Sequence, residues 1–429
     1  MQHGREVFIV DGSRTPFLRA AGRPGAFTAS DLAVAAGRPL LARQVFAPEE
    51  LDEVILGCVS PGPDEANIGR IAALRLGCGK RVPAWTVARN CASGMQALDS
   101  AAANIALGRS ELVLAGGAEA MSHAPILFST EFAAWLGRWS ASKSMADKVR
   151  TLGRLRPVQL KPVIGLLRGL RDPVAGISMG QTAEELARRF AIERETMDAF
   201  ALRSHQRLAA AIDEGRFQGE VESVFAGGGK HYESDDGLRR ETTMEKLARL
   251  KPVFDRPTGS VTAGNSAQIT DGCAWLILAS EKAVKLHELP VLGRLVDSQW
   301  AGLDPRQMGL GPVYASTPIL QRHGFRLDDI DYWEINEAFA AQVLACLEAW
   351  RQLEFCREEL GLEDALGELD QERLNIDGGG ISIGHPVGAS GARIVLHAFN
   401  VLRRKDWRRA VATLCIGGGQ GGAVLLERP

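Results

Sequence analysis

The 429-residue chain has no C-x-x-C pair, and its seven cysteines (Cys58, Cys78, Cys91, Cys273, Cys346, Cys356 and Cys415) are odd in number. That pattern argues against a thiolate zinc site and a disulfide framework, and leaves reduced thiols in a cytoplasmic compartment as the expectation. No uncharged apolar run is long enough to span a bilayer. No signal-peptide region precedes the strand-like Val7–Val10, because Met1-Gln2-His3-Gly4-Arg5-Glu6 leads straight into it. With a formal net charge of −2, nothing global recruits nucleic acid or a membrane. Aromatic residues make up only 6% of the chain, against 45% hydrophobic and 24% charged, a composition that suits a soluble globular enzyme.

What the chain does have is glycine, 47 residues of it, and enough length for two or three structural units. Apolar strand-like runs at Val7–Val10, Glu53–Cys58, Glu111–Ala115, Trp275–Ala279, Asp331–Ile335 and Val411–Ile416 alternate with amphipathic helical stretches. Uninterrupted apolar strands bounded by glycine predict an α/β architecture with sheets covered on both faces. An internal repeat runs through it. Ala92-Ser93-Gly94-Met95 opens a helix that leads to the strand and glycine turn of Leu112–Gly117. Ala389-Ser390-Gly391-Ala392 opens another, leading to Val411–Gly418. Duplicated halves place their functional turns near the pseudo-two-fold, which predicts that Cys91, His385 and Cys415 meet.

Between the halves, residues 131–172 carry nine Lys/Arg against Glu131, Asp147 and Asp172, interleaved with Trp135, Trp139 and several leucines. Three readings stay open: a solvated helical hairpin, a surface that docks a partner or lipid, and a wall facing an anionic substrate. A helical run with Ala/Leu spacing from Thr182 to Glu214 reads as scaffold. Gly227-Gly228-Gly229-Lys230 is only superficially like a phosphate loop, since no Ser/Thr follows the lysine.

Four residues stand out as chemistry. Cys91 precedes the Ser93-Gly94-Met95 helix start, where helix-end amides and an imidazole would lower a thiol's pKa. The alternative, a buried cysteine acting as a small hydrophobe, suits the other upstream cysteines better. Of eight histidines only His385 sits in a rigid Gly-His-Pro turn, placed to activate a thiol or to donate to a thioester oxygen. Cys415 ends a strand and enters Gly417-Gly418-Gly419, whose amides are candidates for an oxyanion hole. Asn336, after Tyr332–Ile335, orients a water or a carbonyl, or else caps a helix.

Asn90-Cys91-Ala92-Ser93-Gly94, Asn336-Glu337-Ala338-Phe339-Ala340, Gly384-His385-Pro386-Val387-Gly388-Ala389-Ser390-Gly391 and Cys415-Ile416-Gly417-Gly418-Gly419-Gln420-Gly421 occur in this order. Together they resemble the thiolases (acyl-CoA C-acyltransferases), from Val7 to the C-terminus. The resemblance implies a duplicated five-layer α/β/α/β/α fold with an inserted loop domain. Its N-terminal half would be residues 1–121 and 258–284, its loop domain 122–257, and its C-terminal half 285–429. It also implies ping-pong acyl transfer: Cys91 as nucleophile, Cys415 as general acid/base, His385 as activator and Asn336 positioning an oxyanion-hole water. The backbone amides of Cys91 and Gly417 would form the second hole. Arg239, Ser266, Ala267, Met179 and Phe339 would contact acyl-CoA. Two positions depart from common family patterns: Ser178 replaces a histidine and Ala267 replaces a hydroxyl residue.

The family further implies coenzyme A and acyl-CoA as substrates, no permanently bound cofactor, no metal, no nucleic acid, and a homodimer or homotetramer. The basic, apolar 131–172 region resembles that of trifunctional-enzyme β-subunits. This implies fatty-acid β-oxidation, a hydratase/dehydrogenase α-subunit as partner, and peripheral membrane contact. A short-chain acetyl-CoA acetyltransferase carries the same residues and is the enzymatic rival. A non-catalytic acyl-CoA-binding scaffold is the rival of a different class.

Overall fold

The computed structural model describes residues 4–429, so Met1, Gln2 and His3 of the expected N-terminal lead lie outside it. In chain order come β1 (Val7–Arg14), α1 (Ala29–Ala42), β2 (Glu53–Gly57), α2 (Ile68–Arg75), β3 (Ala84–Val87), α3 (Ser93–Ala106) and β4 (Leu112–Ala120). Helices α4 (Met179–Arg189) and α5 (Arg194–Asp213) precede β5 (Thr270–Ser280). After them, besides short helices, come β6 (Gly293–Gly302), α6 (Gly311–His323), β7 (Tyr332–Ile335), α7 (Ala340–Arg351), α8 (Val387–Lys405), β8 (Arg409–Ile416) and β9 (Gln420–Glu427).

The strands pair in the order β7-β8-β9-β6-β1-β5-β4-β2-β3, with a short tenth strand, Leu18–Arg19, on β5. Two half-sheets are thus joined where β1 meets β6, through Phe8↔Arg294 and Ile9↔Gly293. All six apolar runs read from the sequence are strands. Each half repeats a parallel pair (β2 with β4, β7 with β8) followed by antiparallel neighbours.

Alternation along the strands feeds three apolar clusters and so builds five layers. On β5, Ala274, Leu276 and Leu278 face the central cluster, while Cys273, Trp275 and Ile277 face the layer of α1 and α2. On β8, Ala410, Ala412 and Leu414 face the same central cluster, while Val411 and Cys415 face the layer of α4, α6 and α7. Helices α3 and α8 fill the centre. Strands buried on both faces are mostly apolar, which is why they read as near-continuous runs.

The repeat explains how α3 and α8 cross. A Cβ on Gly94 would stand 2.8 Å from the Gly388 carbonyl and 3.2 Å from Ala392 Cβ; one on Gly391 would stand 2.6 Å from Met95 N and 2.8 Å from Met95 Cβ. Since Gly94-Met95 and Gly391-Ala392 occupy equivalent places in the repeat, each glycine receives the other copy's next residue. The contact is reciprocal, as a two-fold requires.

The expected helix from Thr182 to Glu214 is two helices. Phe190 ends α4, Ala191 takes the left-handed conformation at φ 51°, and α5 starts at Arg194. Apolar spacing continues across the break because both helices pack on one core, so periodicity alone did not reveal the turn.

Residues 124–171 form a compact unit of their own. Its two longer helices are Thr130–Ala141 and Met145–Leu152, and Ile126–Leu127 pairs with Val163–Ile164. Phe132, Trp135 and Trp139 stack in sequence, and Trp135 Nε1 donates to Thr151 O at 2.8 Å. Ile126, Phe128, Met145, Val149, Val158 and Leu167 are all more than 60% exposed. Among the described residues no helix is long and apolar enough to cross a membrane.

A buried ionic cluster joins segments far apart in sequence. Arg14 on β1 pairs with Glu220 (2.6 Å) and Asp235 (2.7 Å). His397 on α8 lies between Glu220 (2.9 Å) and Asp377 (3.3 Å), and Asp377 also holds Arg216 and Arg404. Burial pushes the His397 imidazole down, but Glu220 and Asp377 outweigh it and raise the group to about 10. Because this value lies above the usual 6.5, the stabilisation is complete below about pH 6.5 and is lost as pH rises toward 10. Replacing His397 by Gln removes the cation that Glu220 and Asp377 share, leaving each to its arginine partners, and should cost about 3 kcal/mol. Denaturant melts of both proteins at pH 6.5 and pH 10 check this: the gap should narrow at the higher pH, and an equal gap at both would remove the charge from the account.

Candidate active site

Residues 88–92 link β3 to α3 and carry Cys91. Ser93 closes this link, since its Oγ accepts from Arg89 N–H (2.8 Å) and donates to Asn90 O (2.8 Å). The N-cap residue Ala92 offers no side-chain acceptor, and the first amide of α3, that of Ser93, donates instead to Asn90 O at 3.0 Å. Cys91 is half-buried. Burial pushes its thiol up, and the charge of Glu119 pushes the same way; the N–H groups of Gly417 and of Cys91 itself pull down. Burial wins, so the thiolate expected over a helix end gives way to a protonated resting thiol that needs a base.

His385 follows Gly384, whose φ of 115° is closed to other residues. Its Nδ1 lies 2.6 Å from Ser390 Oγ, and that hydroxyl donates to Pro386 O at 3.0 Å. With the serine proton spent on the carbonyl, Nδ1–H donates to Ser390 and Nε2 is left as the free base. Burial, assisted by the charge of Arg393, pushes His385 down to about 4, so the imidazole is neutral at pH 7.

Cys415 is the last residue but one of β8, and Gly417-Gly418-Gly419 turn the chain into β9, with φ 92° at Gly418 and 75° at Gly419. Burial, then Cys91, then Cys346 raise the Cys415 thiol well above its ordinary value. The loop of Cys91 lies against the turn that follows Cys415, where Asn90 Nδ2 donates to Gly417 O at 2.7 Å. A buried thiol that holds its proton is suited to deliver it to a carbanion.

Asn336 Nδ2 lies 3.5 Å from both ring nitrogens of His385, and its buried Oδ1 has no protein partner. Helix α7 begins at Ala340 with Phe339 as N-cap, so Asn336 is not a helix cap. Its neighbour Glu337 is buried and accepts from Ser204 Oγ (2.7 Å), Asn375 Nδ2 (2.9 Å) and Ile381 N–H (3.2 Å), which ties this loop to the Gly378–Gly384 turn.

Met179 Sδ would lie 3.1 Å from a Cβ on Gly417, so α4 begins beside the second glycine turn. Ser178 caps α4 through Gln181. Ser266 donates to Thr262 O at 2.6 Å, Ala267 N–H donates to Ala338 O at 3.0 Å, and Phe339 meets the edge of Phe254. Arg239 is exposed and lines a groove of about 240 Å³ with His205, Leu250, Gly264, Gln268 and Ile381. The structure therefore gathers Cys91, Cys415, Gly417 and Met179 around one turn, His385 and Asn336 around another, and Arg239 along the groove. Gln268 connects groove and turn: its carbonyl accepts from His385 N–H at 3.3 Å, and its Nε2 donates to Gly237 O (2.7 Å) and Ile381 O (3.2 Å).

Glu119, at the end of β4, is a residue that motif reading passed over. It accepts from Val59 N–H (2.9 Å), Ser60 N–H (3.0 Å), the Gly388 amide and the Cys58 thiol. Burial pushes it up to about 7. Its signal was Gly116-Gly117-Ala118-Glu119, an acid inside an otherwise apolar strand. Among the described residues no cluster of three His, Cys, Asp or Glu is arranged to hold a metal ion.

Residues 7–282 match the family described as thiolase, N-terminal domain, and residues 289–428 match thiolase, C-terminal domain. The chain is 37% identical to the 3-ketoacyl-CoA thiolase of Yersinia pestis over 428 residues, covering 99% of this chain and 98% of the relative. Among solved structures, the Bacillus anthracis acetyl-CoA acetyltransferase superposes with a TM-score of 0.85 at 38% identity, with all of both chains covered. Human mitochondrial 3-ketoacyl-CoA thiolase in complex with CoA superposes with a TM-score of 0.84 at 36% identity, over 99% of this chain and 98% of that one.

Alkylation by iodoacetamide, mapped by mass spectrometry across pH 6–10, reads the thiol electrostatics. Cys91 should label faster than the buried Cys415. Glu119→Gln removes a negative charge and should move the Cys91 midpoint to lower pH; an unmoved midpoint would take Glu119 out of the site's electrostatics.

Proposed function

The chain belongs to the thiolase family and is an acyltransferase, and from that premise we propose that it cleaves 3-ketoacyl-CoA in fatty-acid β-oxidation through an acyl-Cys91 thioester. The observation that supports this reading is the meeting of three loops: Asn90, next to Cys91, bonds Gly417 O at 2.7 Å, two residues beyond Cys415, and a Cβ on Gly94 would stand 2.8 Å from the carbonyl of Gly388, three residues beyond His385.

In the first half-reaction His385 Nε2 takes the Cys91 proton and the sulfur adds to the 3-keto carbon. The oxyanion on that carbon is held by the amides of Cys91 and Gly417, while Asn336, through a water, and His385, now carrying its proton, hold the thioester oxygen that takes up the enolate charge of the departing acetyl-CoA. Collapse breaks the C2–C3 bond, and Cys415 protonates the departing acetyl-CoA carbanion. In the second half-reaction the Cys415 thiolate takes the proton of the CoA thiol. CoA sulfur then adds to the thioester carbon, whose oxygen lies against the amides of Cys91 and Gly417. Cys91 leaves and recovers its proton from His385. Run backwards, the same groups condense two acetyl units.

Arg239, Ser266, Ala267, Met179 and Phe339 are our candidates for acyl-CoA contacts. We divide the chain into an N-terminal half (1–121 and 258–284), a loop domain (122–257) and a C-terminal half (285–429), and read it as a cytoplasmic homodimer or homotetramer. The exposed apolar side chains of residues 124–171, beside nine Lys/Arg, support contact with a hydratase/dehydrogenase α-subunit or an anionic membrane surface.

Cys91→Ala should abolish thiolysis while calorimetry still detects CoA binding; turnover in that variant would refute the assignment. Cys415→Ala should lose condensation and α-proton exchange, with acylation of Cys91 less affected. A thiolysis profile across 3-ketoacyl chain lengths separates the two metabolic readings. A strong preference for the four-carbon substrate favours the acetyltransferase role that the Bacillus anthracis likeness supports.

A further inference from the structure

We propose that Asn90 is a positioning residue that clamps the Cys415–Gly419 turn and so keeps the Gly417 amide aimed at the Cys91 thioester. The inference rests on the thiolase reading above and extends it to a residue that touches neither sulfur nor substrate carbon.

Asn90 Nδ2 donates to Gly417 O at 2.7 Å, across 327 positions of sequence. It is a short bond between the loop that carries the nucleophile and the loop that carries the second thiol. Its geometry matters because of which peptide it holds. Strand β8 pairs up to Ile416↔Gln420, which orients the peptide on the near side of Gly417 and hence its N–H. The carbonyl of Gly417 belongs to the next peptide, and beyond it Gly418 and Gly419 both take positive φ. Glycine resists neither torsion. With Asn90 bonded to the far peptide and the sheet bonded to the near one, the two free torsions of Gly417 are fixed from both sides.

The clamp is rigid at its own end as well. Asn90 stands in the left-handed region at φ 44°, a conformation that asparagine tolerates better than most residues with a Cβ. Ser93 N–H and Ser93 Oγ both donate to Asn90 O, at 3.0 and 2.8 Å. The preceding Arg89 packs its guanidinium 4.2 Å from the centre of the Trp300 ring. The Asn90 side chain runs alongside the turn, its Nδ2 lying 3.8 Å from a Cβ built on Gly417 and 3.9 Å from one on Gly418. The Gly417 amide, in turn, favours the charged form of Cys91. Nucleophile, clamp and oxyanion donor form one closed loop of contacts.

Removing an oxyanion-hole donor outright costs about 10²–10³ in kcat; loosening one should cost about tenfold or more. Asn90→Gly keeps the left-handed backbone and loses only the clamp, whereas Asn90→Asp keeps the shape but has no N–H to give. Both variants and the parent would be assayed for kcat and KM in thiolysis and for the pH midpoint of Cys91 alkylation.

We expect Asn90→Gly to lose at least tenfold in kcat with KM for CoA within about twofold, and its alkylation midpoint to rise. Asn90→Asp should shift the midpoint further, since its carboxylate adds negative charge beside the thiol. Parent-like kcat and midpoint in Asn90→Gly would overturn the clamp, as would a loss of folding shown by circular dichroism without a shift in the midpoint of the folded fraction. A parent protein without thiolysis would remove the proposed function instead, and the alkylation midpoints would still judge Asn90.

Discussion

Everything in the candidate site hangs on the reciprocal crossing of α3 and α8. At the crossing Gly94 lies against Gly388 and Ala392, while Gly391 lies against Met95, so two helix backbones approach to a distance that no side chain permits. Gly117 on β4 closes the same point from the sheet side, where a Cβ would collide with the Gly388 carbonyl. The helix starts therefore cross with their backbones closer than the side chains of packed helices ordinarily allow. The nucleophile's loop precedes one start and the histidine's turn precedes the other. Catalytic proximity is a by-product of close packing.

The serines of the two repeats show how the duplicated pattern has been put to two uses. Ser93 and Ser390 occupy equivalent positions, and each closes the loop just before its helix. Ser93 spends its bonds on backbone, tying Arg89 and Asn90 so that Cys91 is presented at the tip. Ser390 spends one bond on Pro386 O and receives the other from the His385 ring, which sets the tautomer. One hydroxyl fixes a main chain and its counterpart fixes a base.

Apolar alternation and glycine made much of this legible from the chain alone. Strands buried on both faces, such as β5 and β8, announce themselves because their central runs, Cys273–Ala279 and Ala410–Ala412 with Leu414–Ile416, are apolar. Strand β9 did not, since Gln420-Gly421-Gly422 reads as a continuing turn. Its glycines are there because Gly421 touches the backbone of Gly311 and Gly422 lies beneath Trp300. Likewise β6 mixes Asp297, Ser298 and Gln299 into its length and lacks the apolar signature. The buried ion pairs were invisible for a different reason: Arg14, Arg393 and His397 find their partners at Glu220, Glu334 and Asp377, and sequence spacing holds no trace of such distances. In the site, residues inside glycine turns could be found by their company. Glu119, Ser390, Gln268 and the resting charge of Cys91 depend on burial and on who faces whom, and only a folded chain decides that.

The glycine crossing also constrains how this protein can change. When a packed pair is too tight, enlarging one member can usually be offset by shrinking the other. Here Gly94 and Gly391 each abut main-chain atoms, and both are already as small as a residue can be. A side chain gained on one helix therefore has no matching loss available on its neighbour. The crossing sits at a dead end of sequence space.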